Sequence, residues 1–247
     1  MRSHDLLAYY RRLSQATLTV VDVETTGYLG NGNRVIEVSL LQASLEKGIL
    51  HQQTTLVNPP AVVPQPITRL TGITQAMVDQ APLAHAVWPD YWPLLNQGIL
   101  TAHNLPFDYG FLQAEAQQMG ITFRRSAVQQ FCTLQLARIL LPDLPSRALP
   151  ALVEHFHLTV SGSHRAEADT LACWQLAQCL LGDIAETCES VMLSRLARQW
   201  IPLSVASQIL GCSQQQARLR LEKAEITARV QENGRIFYRR DDVEQLS

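Results

Sequence analysis

Along the first part of the chain, short apolar runs alternate with helical patterns. Residues 1–13 form an amphipathic pattern, with Leu6, Leu7, Tyr9 and Tyr10 among charged neighbours, and predict a helix packed on the main domain. The run L-T-V-V-D-V-E-T-T-G (18–27) follows, its β-branched Val20, Val21 and Val23 predicting a buried strand. Three glycines and two asparagines in G-Y-L-G-N-G-N (27–33) then reverse the chain. Two further strands are predicted at 35–43 and 49–57, separated by E-K-G at 46–48, so the first three make an antiparallel meander. The proline-rich N-P-P-A-V-V-P-Q-P that follows fits neither helix nor central strand.

Beyond it, 67–78 contains a short helix capped by Thr74, and 82–96 a helix whose Trp88, Tyr91, Trp92 and Leu95 are expected in the core. A short apolar run at 99–102 leads through H-N-L-P-F-D into a helical pattern carrying Phe111, Leu112, Glu115 and Met119, ended by Gly120. That reading places Asp108 near a helix N-terminus. A last strand at 128–134, helices near 136–141 and 149–156, and a long helix from 166 to 181 complete the pattern. A meander followed by alternating strands and helices describes an α/β mixed sheet flanked by helices. The chain is thus expected to divide into an N-terminal helix (1–15), a main domain (16–182), a linker helix (183–200) with Leu193, Leu196 and Trp200 as its apolar side, and a small module (201–247).

Composition narrows the class. With 47% hydrophobic and 17% charged residues, the sequence is that of a globular protein. No apolar run approaches the roughly 20 residues that span a bilayer, and the start of the chain lacks a secretory pattern. No membrane association and a cytoplasmic location are therefore expected. Five cysteines with no C-x-x-C pair point to reduced thiols. The formal net charge of -2 neither suggests nor excludes a nucleic-acid partner.

Candidate chemistry begins with Asp22 and Glu24, which interrupt an apolar strand. Residues two apart share a strand face, so the two carboxylates project side by side and repel unless a cation joins them. Hard divalent ions such as Mg²⁺ or Mn²⁺ suit oxygen ligands. An edge strand with a solvated face is the bland alternative for D-x-E alone; the distant Asp108, Asp169 and His164 outweigh it. Four acids and one histidine are the set that two-metal phosphoryl chemistry needs, the acids holding the cations and the imidazole taking a proton from water. For His103, His155 and His157 the structural reading is kept, Arg165 is read as a solvated helix start, and Gly27, Gly30 and Gly32 as turn residues rather than a phosphate loop.

D-V-E-T-T-G (22–27), H-N-L-P-F-D (103–108) and H-R-A-E-A-D (164–169) resemble, in order and spacing, the three motifs of the DnaQ-like DEDDh family of 3′→5′ exonucleases. R-L-T-G-I-T (69–74) and T-L-Q-L-A-R (133–138) are similar to the same family, and coverage runs from about residue 16 to 181. The resemblance implies an RNase H-like fold and two divalent cations, Mg²⁺ or Mn²⁺. Asp22, Glu24 and Asp169 would hold the catalytic ion, Asp22 and Asp108 the second, and His164 would be the general base. Thr25 and Thr26 would lie by the terminal nucleotide, and Asn104 would order the second motif or contact substrate. Cys132 stands where the family often has an acid and is not counted as a ligand.

The last segment resembles the excisionase-like and MerR-like winged helix-turn-helix modules. It predicts two short helices joined at G-C-S with Ser213 as N-cap, a hairpin turning at Asn233-Gly234, and a final helix capped by Asp241 or Asp242. On DNA, the helix 214–221 would enter a groove, with Arg218 and Arg220 at phosphate or base and Arg235 on the wing. Seven Lys+Arg against six Asp+Glu leave 201–247 a net +1, so docking to a protein is nearly as well supported as binding duplex DNA. Together these readings predict a metal-dependent exonuclease acting on the 3′ end of single-stranded nucleic acid, DNA favoured over RNA. It would release nucleoside 5′-monophosphates in proofreading or repair. An exoribonuclease, or an adaptor with little catalysis, is the alternative.

Overall fold

The computed structural model describes residues 1–160, 165–231 and 234–247, and the chain divides into two compact units, Leu13–Gly182 and Met1–Arg12 with Asp183–Ser247. In chain order, α1 (Ser3–Ser14) precedes β1 (Leu18–Thr25), β2 (Val35–Ser44) and β3 (Gly48–Leu56). Then follow α2 (Gln65–Thr71), α3 (Gln75–Asp79), α4 (Ala84–Leu95), β4 (Ile99–Ala102) and α5 (Leu105–Gln118). β5 (Gln130–Cys132), α6 (Thr133–Leu140), α7 (Leu149–His155) and α8 (Ala166–Glu186) complete this part of the chain.

The larger unit is built on a five-stranded mixed sheet in the order β3-β2-β1-β4-β5. The antiparallel meander β1-β2-β3 is as expected, and β4 and β5 join it in parallel through helical crossovers. β2 is buried along its whole length, and its Val38 and Leu40 share one core with Val21 and Val23 of β1, Trp88, Tyr91 and Leu95 of α4, and Phe111 and Leu112 of α5. Pro89 and Pro93 interrupt the hydrogen bonding of α4, yet the helix persists because Trp88, Tyr91, Trp92 and Leu95 are all buried. Thr74 caps α3 by accepting from the Met77 N–H.

Two boundaries differ from expectation. Gln65 and Pro66, assigned to the proline-rich loop, begin α2, because a first-turn residue needs no N–H and proline's φ suits a helix start. The last strand spans only Gln130–Cys132, since residues 127–129 wind into a 3₁₀ turn closed by a Ser126–Gln129 capping box.

In the smaller unit, α9 (Glu189–Ala197), β6 (Trp200–Pro202), α10 (Leu203–Leu210), α11 (Gln214–Lys223), β7 (Ala228–Val230), β8 (Ile236–Arg239) and α12 (Arg240–Gln245) follow in order. A three-stranded antiparallel sheet, β6-β8-β7, shares a core of Ile201, Ala206, Ile209, Leu210, Ala217, Leu221, Tyr238 and Val243 with these helices. Ser213 caps α11 in a reciprocal box with Gln216.

Here the sequence reading needs three corrections. The first twelve residues belong with this unit rather than with the main domain: Glu244 accepts from the Ser3 N–H at 2.7 Å and hydroxyl at 2.9 Å, and Arg240 donates to the Met1 carbonyl at 2.8 Å. Trp200 is not on the apolar side of a linker helix but in strand β6, with Met192 and Leu196 forming the buried side of α9. Neither Asp241 nor Asp242 caps the last helix; α12 starts earlier, at Arg240, and both acids lie in its first turn where the helix dipole favours them. Of the predicted turn, Asn233 lies outside the described residues, and Gly234 has the left-handed φ of +77° that the reversal requires.

Candidate active site

Alternation along β1 buries Val21 and Val23 on one side and sends Asp22 and Glu24 to the other. The first turn of α8 brings Asp169 to the same place. Carboxylate oxygens of Asp22, Glu24 and Asp169 all lie within 4.8 Å of one another, the one such grouping of acids, histidines or cysteines among the described residues. Two acids of one strand and a third from a helix far along the chain are thus gathered at one point of the sheet. His164, the expected base, lies outside the described residues.

Asp108 stands beside this group with a second duty. β4 pairs with β1 only from Leu18 to Val20, so further along that edge the Val23 N–H has no strand to bond. The Asp108 carboxylate, 2% exposed at the start of α5, accepts that N–H at 3.2 Å. Asp108 therefore ties α5 to the very residue between Asp22 and Glu24.

The electrostatics follow from the crowding. Burial, then repulsion from Asp108, Asp169, Glu24 and Glu37, raises the Asp22 carboxyl well above its ordinary range. Asp108 is raised as well, chiefly by burial and with the Val23 N–H opposing. Glu24 is pushed up to about 7 by burial and by Asp169 and Glu37, with Arg165 opposing. Such a cluster is costly unless positive charge enters it, and an all-carboxylate donor set fits a hard divalent cation.

The remaining expected contacts divide. Thr25 donates to the Gly27 carbonyl at 2.7 Å, and Thr26 donates to Asn33 Oδ1 at 3.0 Å while accepting the Arg34 N–H at 3.0 Å. Both hydroxyls thus shape the loop, and the Thr26 N–H is bonded within it as well, to the Arg34 carbonyl at 2.9 Å. Gly27, at φ +155°, is needed there because a Cβ would come within 2.8 Å of the Asn33 side chain. Asn104 is exposed and left-handed at φ +72°, with no side-chain cap bond, a conformation asparagine tolerates best after glycine. His103 is structural: its ring bonds Thr133 Oγ1 and the Arg147 carbonyl, each at 2.9 Å, and burial lowers its pKa to about 4.

In the C-terminal unit, Arg218 is paired with Glu222 at 2.8 Å, one helical turn on. Arg220 donates to the Leu210 carbonyl at 3.3 Å and the Leu246 carbonyl at 2.9 Å, bracing α10 and the chain end. Arg235 is exposed just before β8, its carbonyl accepting from Gln231 at 2.9 Å.

Sequence reasoning missed two buried acids. Glu37 on β2, 1% exposed, accepts from both the Arg165 guanidinium and the Ala166 N–H, so Arg165, though exposed to solvent at the helix start, is also ion-paired. Glu115 on α5, also 1% exposed, forms a fork with Arg34 at 2.8 and 2.7 Å and accepts from the Val35 N–H and Trp88 Nε1. Both were visible as acids inside apolar patterns, the same signal that singled out Asp22 and Glu24.

A mixed sheet thus gathers partly buried carboxylates from its first strand and from the first turn of a distant helix, as the resemblance to the DnaQ-like exonucleases implies. The RNase T family model, described as Exonuclease, matches residues 19–177, and the chain belongs to this exonuclease family. A Mycobacterium tuberculosis protein provisionally described as a bifunctional exonuclease/endonuclease is 37% identical over 177 residues, covering 68% of this chain and 27% of that protein. DNA polymerase III subunit epsilon of Aquifex aeolicus is 33% identical over 159 residues, covering 64% of this chain and 76% of that subunit. Exonuclease X in complex with 5′ overhanging duplex DNA shares the fold, with a TM-score of 0.53, 23% identity, and coverage of 72% of this chain and 99% of that one.

Proposed function

We propose that this protein is a metal-dependent 3′→5′ exonuclease that hydrolyses the terminal phosphodiester of single-stranded DNA and releases nucleoside 5′-monophosphates. The observation that carries the reading is the convergence of Asp22, Glu24 and Asp169, whose oxygens lie within 4.8 Å of one another on a fold of this family. DNA is favoured over RNA because the polymerase subunit and the exonuclease complex to which the chain is similar are both named for DNA.

Asp22, Glu24 and Asp169 would hold one divalent cation, Mg²⁺ or Mn²⁺, and Asp22 with Asp108 a second. When bound, such ions acidify water and stabilise the departing 3′ oxygen. The protein's own part is to keep the acids together against their repulsion, through β1, the Asp108–Val23 bond and the first turn of α8. Thr25 and Thr26 lie by the terminal nucleotide, and Asn104 orders the second motif or contacts substrate. His164 takes the proton from the attacking water, as an imidazole can near neutral pH.

The module 201–247 is read as a winged helix-turn-helix: α10 and α11 form its helical pair and β7–β8 its wing. Arg218 and Arg220 on α11 and Arg235 by the wing are the cations it would turn to duplex DNA or to a protein that carries the nuclease to its substrate. Proofreading or repair is the task that fits.

End-labelled single-stranded DNA and RNA of matched sequence, incubated with Mg²⁺, Mn²⁺ or chelator, test the reading with wild type and His164→Ala. Metal-dependent shortening from the 3′ end, faster on DNA and lost in the variant, is expected. Shortening of RNA alone would move the assignment to an exoribonuclease, and no shortening with either metal would overturn it.

A further inference from the structure

We infer that Glu37 and Arg165 form a clamp that positions the third catalytic motif, a role that neither residue's place in the sequence announced. The inference rests on the nuclease reading above and adds to it two residues outside the acid set.

Glu37 lies opposite Glu24 in the β1–β2 register, on the same face of the sheet, and is 1% exposed. Like charges directly opposite one another on neighbouring strands destabilise a sheet, and a buried carboxylate is costlier still. Glu37 adds to the repulsion that Asp22 and Glu24 already suffer. An apolar residue would fit such a position better, so stability of the sheet does not account for it.

What the carboxylate does is visible in its partners. One oxygen accepts the Ala166 N–H at 2.9 Å, and both accept the Arg165 Nε, at 3.2 and 3.1 Å. Ala166 is the first residue of α8, and its N–H is one of the four that a helix start leaves without an internal partner. Glu37 thus caps α8 from a neighbouring strand, and Arg165 forms a fork on the same carboxylate. Asp169 is one turn further, its N–H bonded to the Arg165 carbonyl at 3.0 Å. The strand that faces Glu24 therefore fixes the turn that delivers Asp169 to Glu24 and Asp22. Arg165 is also the chain neighbour of His164. Both residues are positioning residues; neither is placed on substrate.

Charge alone and positioning make opposite forecasts for one substitution. Arg165 opposes the ionic repulsion at Glu24, so if its charge were all that mattered, Arg165→Met would tighten cation binding. A clamp predicts that Arg165→Met loosens α8 and weakens binding, by about tenfold or more, as loss of an orienting partner behind metal ligands typically does. Arg165→Lys keeps the charge without the fork and should fall between wild type and Arg165→Met. Mn²⁺ binding by titration calorimetry reads this, with Mn²⁺ alone as the probe. In metal-free protein, faster amide hydrogen exchange over 166–170 should appear in Arg165→Met and Glu37→Gln, while thermal unfolding confirms that both variants fold. The double variant should be no worse than the poorer single one.

Arg165→Met binding Mn²⁺ as tightly as wild type or tighter, with exchange over 166–170 unchanged, would overturn the clamp. Exonuclease assays run in parallel separate the two claims. Wild type that binds Mn²⁺ but shortens no substrate refutes the activity, while the calorimetric and exchange arms still decide the clamp.

Discussion

The two units treat charge in opposite ways. In the larger one, Asp22, Glu24, Asp108 and Asp169 are brought together against burial and mutual repulsion, and three of them share a point no wider than 4.8 Å. In the C-terminal unit, arginines are tied to near neighbours: Arg218 to Glu222, Arg239 to Asp241, Arg240 to Glu244 and to the Met1 carbonyl, and Arg220 to two backbone carbonyls. The first arrangement raises energy that an incoming cation would lower; the second has largely met its own needs. Strained charge is the better pointer to chemistry, which is why the site in the sheet is defined and the surface of the module is not.

The contrast breaks most visibly at Asp22. Asp22→Asn should abolish exonuclease turnover by roughly a thousandfold or more, as loss of several kcal/mol of charge stabilisation implies. The same change relieves repulsion, so the midpoint of thermal unfolding in chelator should hold or rise. A variant that loses both activity and stability would mean the cluster is structural. Glu115→Leu predicts the reverse. It strands the Arg34 guanidinium and removes acceptors from the Val35 N–H and Trp88 Nε1. Breaking a buried pair by removing one partner costs about 3–5 kcal/mol, to be read from denaturant unfolding.

The pH dependence of the metal-free protein sharpens the same point. Glu24 is held up to about 7 in the folded protein, whereas in the unfolded chain it titrates in the usual carboxylate range near ~4. Between these values the folded state holds the extra proton, so stability is greatest at the acid end and declines as pH rises towards about 7. Asp22 and Asp108, raised in the same sense, extend that decline. Unfolding midpoints measured in chelator should therefore drop from mildly acid to neutral pH, and Glu24→Gln or added Mn²⁺ should flatten the slope. A midpoint that climbs with pH across that range would show the cluster is not under repulsion.

Much of this was legible in residues 16–181, for identifiable reasons. Strand periodicity and loop chemistry gave the meander and the strand–helix alternation, and acids set in apolar runs gave Asp22 and Glu24. Glu37 and Glu115 carried the same signal and went unread, because a single acid in a long apolar strand or a helix pattern has no partner visible in sequence. Their partners, Arg165 and Arg34, lie 128 and 81 residues away, a pairing only tertiary structure supplies. The placement of α1 failed for a similar reason: an amphipathic helix reports that one face is buried, not against what. Trp200 was drawn into a helix by its spacing from Leu193 and Leu196, although an Ile-Pro pair follows it and favours extended backbone.

The smallest expected effects lie in α11, where they separate bracing from binding. Arg220→Ala removes donors from the Leu210 and Leu246 carbonyls and should lower the stability of the C-terminal unit by about 1 kcal/mol. Arg218→Ala loses only an exposed pair with Glu222, and its unfolding midpoint should match wild type. If α11 enters a DNA groove, Arg218→Ala should still weaken duplex binding and lower the salt slope by about one ion, because a phosphate contact releases counterions whether or not it supports the fold. Unchanged affinity and slope in Arg218→Ala would remove the argument for α11 as a reading helix and favour protein docking. The module's near-neutral charge would then be what it suggests, a surface built to meet something other than phosphate.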